Sequence, residues 1–212
     1  IDNHKNQIIM VITCVLTYVN NNKGEYKMNT HKKILTMTLS ALLIAVGIVI
    51  PMISPIKIQI GPMSFTLASH VAIMIALFIS PQVSVAVALG TTLGFLLAGF
   101  PDVVVLRALS HVIWAALGGF YIKKHADLFQ SPTKTLFFNL VIALIHAAGE
   151  MIVVVPFYYG AGMDIQAFCY MVFGLVGLGT IIHSSVDFII SLVVWKGLSQ
   201  NTHISDISQV KK

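Results

Sequence analysis

Gly99-Phe100-Pro101-Asp102-Val103-Val104-Val105-Leu106-Arg107-Ala108-Leu109-Ser110-His111 is the stretch on which the reading of this chain turns. It sets the sole arginine of the sequence inside an apolar run, with a histidine four residues on. A spacing of four places Arg107 and His111 on one face of a helix. An ionisable side chain in such a run is costly in a bilayer and faces a bundle interior or a watery cavity. Two readings compete. Either Arg107 is a structural charge satisfied by carbonyls or by Asp102, or it is a cationic seat for an anionic ligand. Guanidinium presents a rigid donor fork to carboxylates, and the second reading is favoured.

Composition sets the frame. Of the 212 residues 57 % are hydrophobic and only 10 % charged, against about 25 % charged in a soluble domain. The chain is therefore an integral membrane protein, sized for one helical bundle. Its formal net charge of +5 does not point to nucleic acid, because the basic residues sit at helix ends, where they act as topology signals. Cys14 and Cys169 lie in apolar surroundings and form no CxxC pair, so neither a disulfide framework nor a zinc site is expected. No metal and no other cofactor is expected.

Outward from the arginine, six spans are read: about 34–53, 65–79, 83–98, 103–122, 136–155 and 168–195. The first ends near Pro51, the second at Ser80-Pro81, the third at Gly99-Phe100-Pro101 and the fifth at Pro156. The glycines of the sixth are expected to break or kink it. Ile56 to Met63 alternates apolar and polar residues between prolines and reads as an extended loop over one mouth of the bundle. Phe157 to Gly162 reads as an aromatic interfacial segment. Six spans put Lys32, Lys33, Lys123, Lys124, Lys134, Lys196, Lys211 and Lys212 on one side and Lys57 alone on the other. The positive-inside rule then places both termini in the cytoplasm. Residues 1–27 hold an apolar run too short to span, and Met28 directly precedes Asn-Thr-His-Lys-Lys. The expectation is that 1–27 are an upstream, non-native extension, 28–200 the membrane domain and 201–212 a cytoplasmic tail.

Three pairs spaced by four stand inside the spans: Arg107 with His111, His146 with Glu150, and His183 with Asp187. Any single pair is explained as a local helix contact; three, on three spans, predict a shared polar interior. His70, with Thr66 and Ser69, would join from the second span. Ala86, Gly90, Gly94 and Ala98 form a small-residue face read as internal packing, and Ala41 with Ala45 form another that suits an external helix partner equally well. No G-x-x-x-x-G-K-[ST], H-E-x-x-H or G-x-S-x-G motif occurs, so the chain is expected to be a binder and not an enzyme.

Leu39-Ser40-Ala41-Leu42-Leu43-Ile44-Ala45-Val46-Gly47-Ile48-Val49-Ile50-Pro51, Ser64-Phe65-Thr66-Leu67-Ala68-Ser69-His70, Ile79-Ser80-Pro81 and Leu106-Arg107-Ala108-Leu109-Ser110-His111 resemble the substrate-binding S components of energy-coupling factor (ECF) vitamin transporters. The similarity spans roughly residues 28–200 and is greatest to the niacin-specific type. It implies an all-α bundle of six transmembrane helices in the bacterial plasma membrane. It also implies a vitamin pocket open to the outside and release inside by toppling. The partners it implies are a transmembrane coupling protein, docked on Ala41 and Ala45, and two ABC-type ATPases that supply the energy. In this reading nicotinate meets Arg107 with its carboxylate and His111, His70 or a hydroxyl with its ring nitrogen, while Phe65, Trp114, Phe157, Tyr158 or Tyr159 stack on the ring. His146, Glu150, His183 and Asp187 complete the substrate-binding set, although the two acids repel an anion unless paired. Pantothenate carries a carboxylate too and is the competing vitamin. An intramembrane metal-dependent hydrolase built on His146, Glu150, His183 and Asp187 is the alternative of another class, and a self-sufficient transporter would need inverted repeats that the sequence does not display.

Overall fold

The computed structural model describes residues 30–53, 57–60, 63–159, 162–200 and 202–211. The expected extension over 1–27 lies outside these. Helix α1 (Thr30–Ile53) leads to a hairpin of β1 (Lys57–Ile60) and β2 (Met63–Thr66), then to α2 (Val71–Leu77), α3 (Pro81–Leu97), α4 (Asp102–Lys124) and α5 (Pro132–Tyr158). A long helix α6 (Ile165–Leu198) and a short α7 (Thr202–Ser205) complete the order. Helices α1, α4, α5 and α6 are each long and apolar enough to cross a membrane, and α3 is shorter at 17 residues. With its hydrophobic exterior and these helices, the chain is a multi-pass helical membrane protein.

The second expected span is corrected. Its first residues, Phe65 and Thr66, end the antiparallel hairpin, in which Lys57 pairs with Thr66 and Ile60 with Met63. Only seven residues then form α2, too few to cross a bilayer. All seven are buried, because α2 is wrapped by α1, α3, α4 and α6. A helix that is apolar all round belongs in a core, and its sequence, Val-Ala-Ile-Met-Ile-Ala-Leu, has no polar face to give to water. Hydropathy alone cannot separate this from a short span. The stretch read as an extended loop is thus partly strand.

Other boundaries shift for local reasons. Ser80 and Pro81 end one element and start the next: Ser80 Oγ accepts from Val83 N–H at 3.1 Å, and Pro81 takes the first turn of α3. Gly99 stops α3 at φ 74°, a left-handed conformation that glycine adopts without strain. Pro156 does not stop α5, which continues to Tyr158; the lost hydrogen bond falls within its last turn, and helices in membranes tolerate it. The glycine-bearing middle of α6 is neither broken nor sharply stopped; Tyr170–Leu178 winds as a π-helix before regular α-geometry resumes at Gly179.

The small-residue face of α3 packs internally, as expected. Cβ atoms added at Gly90 and Gly94 would stand 2.6 Å from Ile44 and 2.5 Å from Ile48 of α1. Towards the α2 C-terminus the core is aromatic: Phe78 meets Trp195 and Phe129 with ring centres 5.2 and 5.1 Å apart. The expected tail is not free there, since Gln209 N–H donates to Phe78 O at 2.9 Å and Ile207 is buried. Replacing Gly90 with Leu would drive a side chain into Ile44. The expected cost is about 1–3 kcal/mol, seen as a lowered melting temperature of the detergent-solubilised protein, whereas Gly197→Leu, with open space around it, would leave melting unchanged.

Candidate functional site

The α2 N-terminus is where the backbone is least regular and where the buried polar groups begin. Between β2 and α2 the chain turns through Leu67–His70, with Ala68 in the left-handed region at φ 65°. Asp187, fully buried on α6, holds this turn. Its Oδ1 accepts from Ala68 N–H at 2.9 Å, and its Oδ2 from His70 N–H at 3.1 Å. The same Oδ2 lies 3.0 Å from His70 Nδ1 and 3.4 Å from His183 Nε2. Ser69 Oγ adds a contact to His183 Nε2 at 3.2 Å. Irregular backbone at membrane depth persists only where protein groups satisfy it, and one carboxylate does so here.

A second carboxylate organises the other half. Glu150 of α5 accepts from Arg107 Nη2 at 2.8 Å and from Thr180 Oγ1 at 2.6 Å, both on Oε2. Its Oε1 faces His111 Nε2 at 3.2 Å and His146 Nε2 at 3.3 Å. Arg107, His111, His146 and Glu150 are all buried. Arg107 thus meets an acid from a neighbouring helix and not Asp102, and Glu150 and Asp187 each have side-chain partners.

The halves meet through imidazoles. His70 stands with ring centres 4.7 Å from His111, 4.7 Å from His146 and 4.9 Å from His183, and His111 lies 4.6 Å from His146. Trp114, wholly buried, flanks His146 at 5.4 Å, and Phe65 lies against His183 at 4.8 Å. Phe65, His70, Arg107, His111, Trp114, His146, Glu150, His183 and Asp187 are therefore brought together. Three expected aromatics are not part of this contact network. Tyr158 packs on the Val154, Val172 and Val176 cluster, Tyr159 is three-quarters exposed and touches Phe168, and Phe157 is also exposed. All three lie at the end of α5, beyond Glu150.

Thr180 was not singled out from sequence. The signal was there: Thr180, Ser184, Asp187 and Ser191 recur every three or four residues and form the buried polar stripe of α6. The cluster supplies both charge signs, several hydrogen-bond donors and acceptors, and two flanking aromatic faces. Its His and acidic groups include two sets near enough to hold a metal ion, His70 with His111, His146 and Glu150, and His70 with His183 and Asp187.

A helical membrane protein whose ionisable side chains converge on one buried site is the class that fold and site define. No protein-family model matches the chain, and no solved structure does. It is, however, 37 % identical over 180 residues to the niacin transporter NiaX of Lactococcus lactis subsp. cremoris (strain MG1363), a match covering 84 % of this chain and 81 % of that protein. The chain belongs to this transporter family, the niacin type of ECF S component.

Removing Arg107 alone leaves Glu150 charged and uncompensated in the bundle. Arg107→Ala is expected to cost about 3–5 kcal/mol. The double variant with Glu150→Gln should recover much of that loss, as measured by thermal unfolding in detergent; equal losses in both would show that the pair is not what the charge requires.

Proposed function

We propose that this protein is the high-affinity binding subunit for uptake of nicotinate, working in a bacterial plasma membrane with an ECF module. The match to a niacin transporter over most of both chains carries this reading. The buried cluster agrees chemically: nicotinate needs a polar partner for its carboxylate, a donor for its ring nitrogen and an aromatic face. Arg107, His70, His111 and His146 supply the first two, and Trp114 and Phe65 the third. Tyr158 and Tyr159 fit an outer rim better than ring stacking, given where they lie on α5. With six membrane segments, the short buried α2 serving as the second, the lysine asymmetry favours both termini in the cytoplasm. That orientation puts the β1–β2 hairpin over the outer mouth.

The energy would come from two partner ATPases through a transmembrane coupling protein. On α1, Leu43, Ile44 and Gly47 are buried against the bundle, whereas Ala45 is exposed and Ala41 half-buried. Ala41 and Ala45 thus suit close approach of a partner helix. A hydrolase would use the same histidines and acids, and the transporter relative weighs against it.

Calorimetric titration of the purified protein with nicotinate, nicotinamide and pantothenate tests the substrate. Tight binding of nicotinate with at least about a tenfold preference over nicotinamide (about 1.4 kcal/mol) is expected; a preference for pantothenate would keep the role and change the vitamin. Replacing Ala41 and Ala45 with Leu should leave nicotinate binding intact and abolish uptake into cells, and undiminished uptake would remove that face as the docking surface.

A further inference from the structure

The charges around the site do not by themselves suit an anion. One guanidinium, Arg107, stands against two carboxylates, Glu150 and Asp187, so the cluster is net negative while its imidazoles are neutral. Among the described residues Asp187's ion-pair partners are histidines, His70 and His183. A bound nicotinate would add another negative charge in a medium that screens poorly.

The imidazoles are set for something that corrects this. An ionised carboxylate only accepts, so a ring nitrogen hydrogen-bonded to it carries the proton and the other nitrogen keeps its lone pair. Asp187 therefore leaves the lone pair of His70 on Nε2, and Glu150 leaves that of His111 on Nδ1. Among the described residues no group makes a hydrogen bond to His111 Nδ1 or to His146 Nδ1, although both are buried, and His146 Nε2 has only the 3.3 Å approach of Glu150 Oε1. A carboxylate holding the far nitrogen of a histidine is the usual outer support of a metal-bound imidazole.

The spacing is close to what such an ion needs. With a metal–nitrogen bond of about 2.0–2.1 Å and roughly 1.1 Å from nitrogen to ring centre, three imidazoles at tetrahedral angles on one ion would have centres roughly 5.1–5.2 Å apart. The centres of His70, His111 and His146 are 4.6, 4.7 and 4.7 Å apart, with rings mutually inclined at 74–84°. One donor atom from each of these and from Glu150 lies within 4.8 Å of the others, against a ligand-to-ligand edge of roughly 3.4 Å in a loaded tetrahedral site. Small side-chain rotations close that difference.

We propose that His70, His111 and His146 hold a divalent transition-metal ion of the zinc class beside Glu150, and that the vitamin's carboxylate takes the remaining coordination position. Three neutral imidazoles with one further oxygen ligand form a donor set suited to zinc and its neighbours. Two positive charges there convert the cluster into an anion site. Asp187 acts as a positioning residue, fixing the tautomer and orientation of His70. The second half of the proposal rests on the nicotinate reading; the first does not.

The test uses the full chain, purified without a histidine tag, stripped with EDTA and titrated with Co²⁺. One equivalent per chain with the intense visible bands of tetrahedral Co²⁺ is expected, and X-ray absorption should count three imidazoles on the ion. His146→Gln should abolish the bands, and Asp187→Asn should weaken metal affinity by roughly 10–100-fold. Absence of stoichiometric Co²⁺ in the unmodified chain overturns the metal centre whatever the variants do. Nicotinate titrations run beside these, on stripped and Zn²⁺-loaded protein, should show at least about a tenfold loss on stripping, which is about 1.4 kcal/mol. Equal nicotinate affinity in both forms overturns the coordination by the vitamin and leaves the nicotinate reading intact. Stoichiometric metal with no nicotinate binding in either form upholds the ion and overturns that reading.

Discussion

Two carboxylates buried in a bilayer-spanning bundle must be satisfied by protein alone, and the architecture around Glu150 and Asp187 follows from that demand. The idealised cost of moving one such charge into a low-dielectric interior is of order 20 kcal/mol, more than the net stability of most domains. Glu150 is met from two other helices, by Arg107 and His111 on α4 and Thr180 on α6, as well as by His146 one turn earlier on its own helix. Asp187 is met by two backbone N–H groups and two imidazoles. Each acid therefore fastens elements that are distant in sequence. Losing either would release more than one contact.

The same demand explains the shape of the second segment. A full-length helix there would keep its backbone bonds to itself and give Asp187 no backbone N–H to accept from. By turning at Leu67–His70, the chain spends the left-handed conformation of Ala68, which costs of order 1–2 kcal/mol, and presents two N–H donors to a carboxylate. The short α2 that follows is then surrounded on all sides, and it fills the space between this polar floor and the aromatic packing of Phe78, Phe129 and Trp195. Close packing of α1 on α3 at Gly90 and Gly94 narrows the bundle around it. The π-helical stretch of α6 runs into Thr180 and lies beside β2, so helical irregularity too is concentrated near the polar cluster, as it often is at functional sites.

Much of the site was legible because the helix period is short. His146 with Glu150 and His183 with Asp187 are in direct contact at i, i+4, as their spacing requires. Arg107 and His111 do share a face, yet what unites them is an acid on another helix. The polar stripe of α6 was equally visible, although Thr180 lies seven residues from Asp187 and was passed over. Phe65 and Trp114 were found by being aromatic near polar residues. Tyr158 and Tyr159 were singled out by the same reasoning but lie outside the buried contact network, since sequence proximity to Glu150 says nothing of how far along the helix axis that network extends. At 1.5 Å per residue, eight residues already move a side chain about 12 Å.

Sequence by itself determined the solvent of this protein and the faces of its helices. Hydrophobic length and scarce charge dictate a membrane bundle, a period of four dictates which polar residues share a face, and small residues dictate where helices approach. Only the tertiary structure decided which acid meets which base, and that the second segment is a hairpin, a strained turn and a seven-residue core helix. The reason is physical. Periodicity specifies a direction around one helix axis, whereas pairing depends on the depth, rotation and distance of two axes. Those are set by packing among residues far apart in the chain. Arg107 could not be assigned to Glu150, nor His70 to Asp187, until α2, α4, α5 and α6 were assembled around the same point.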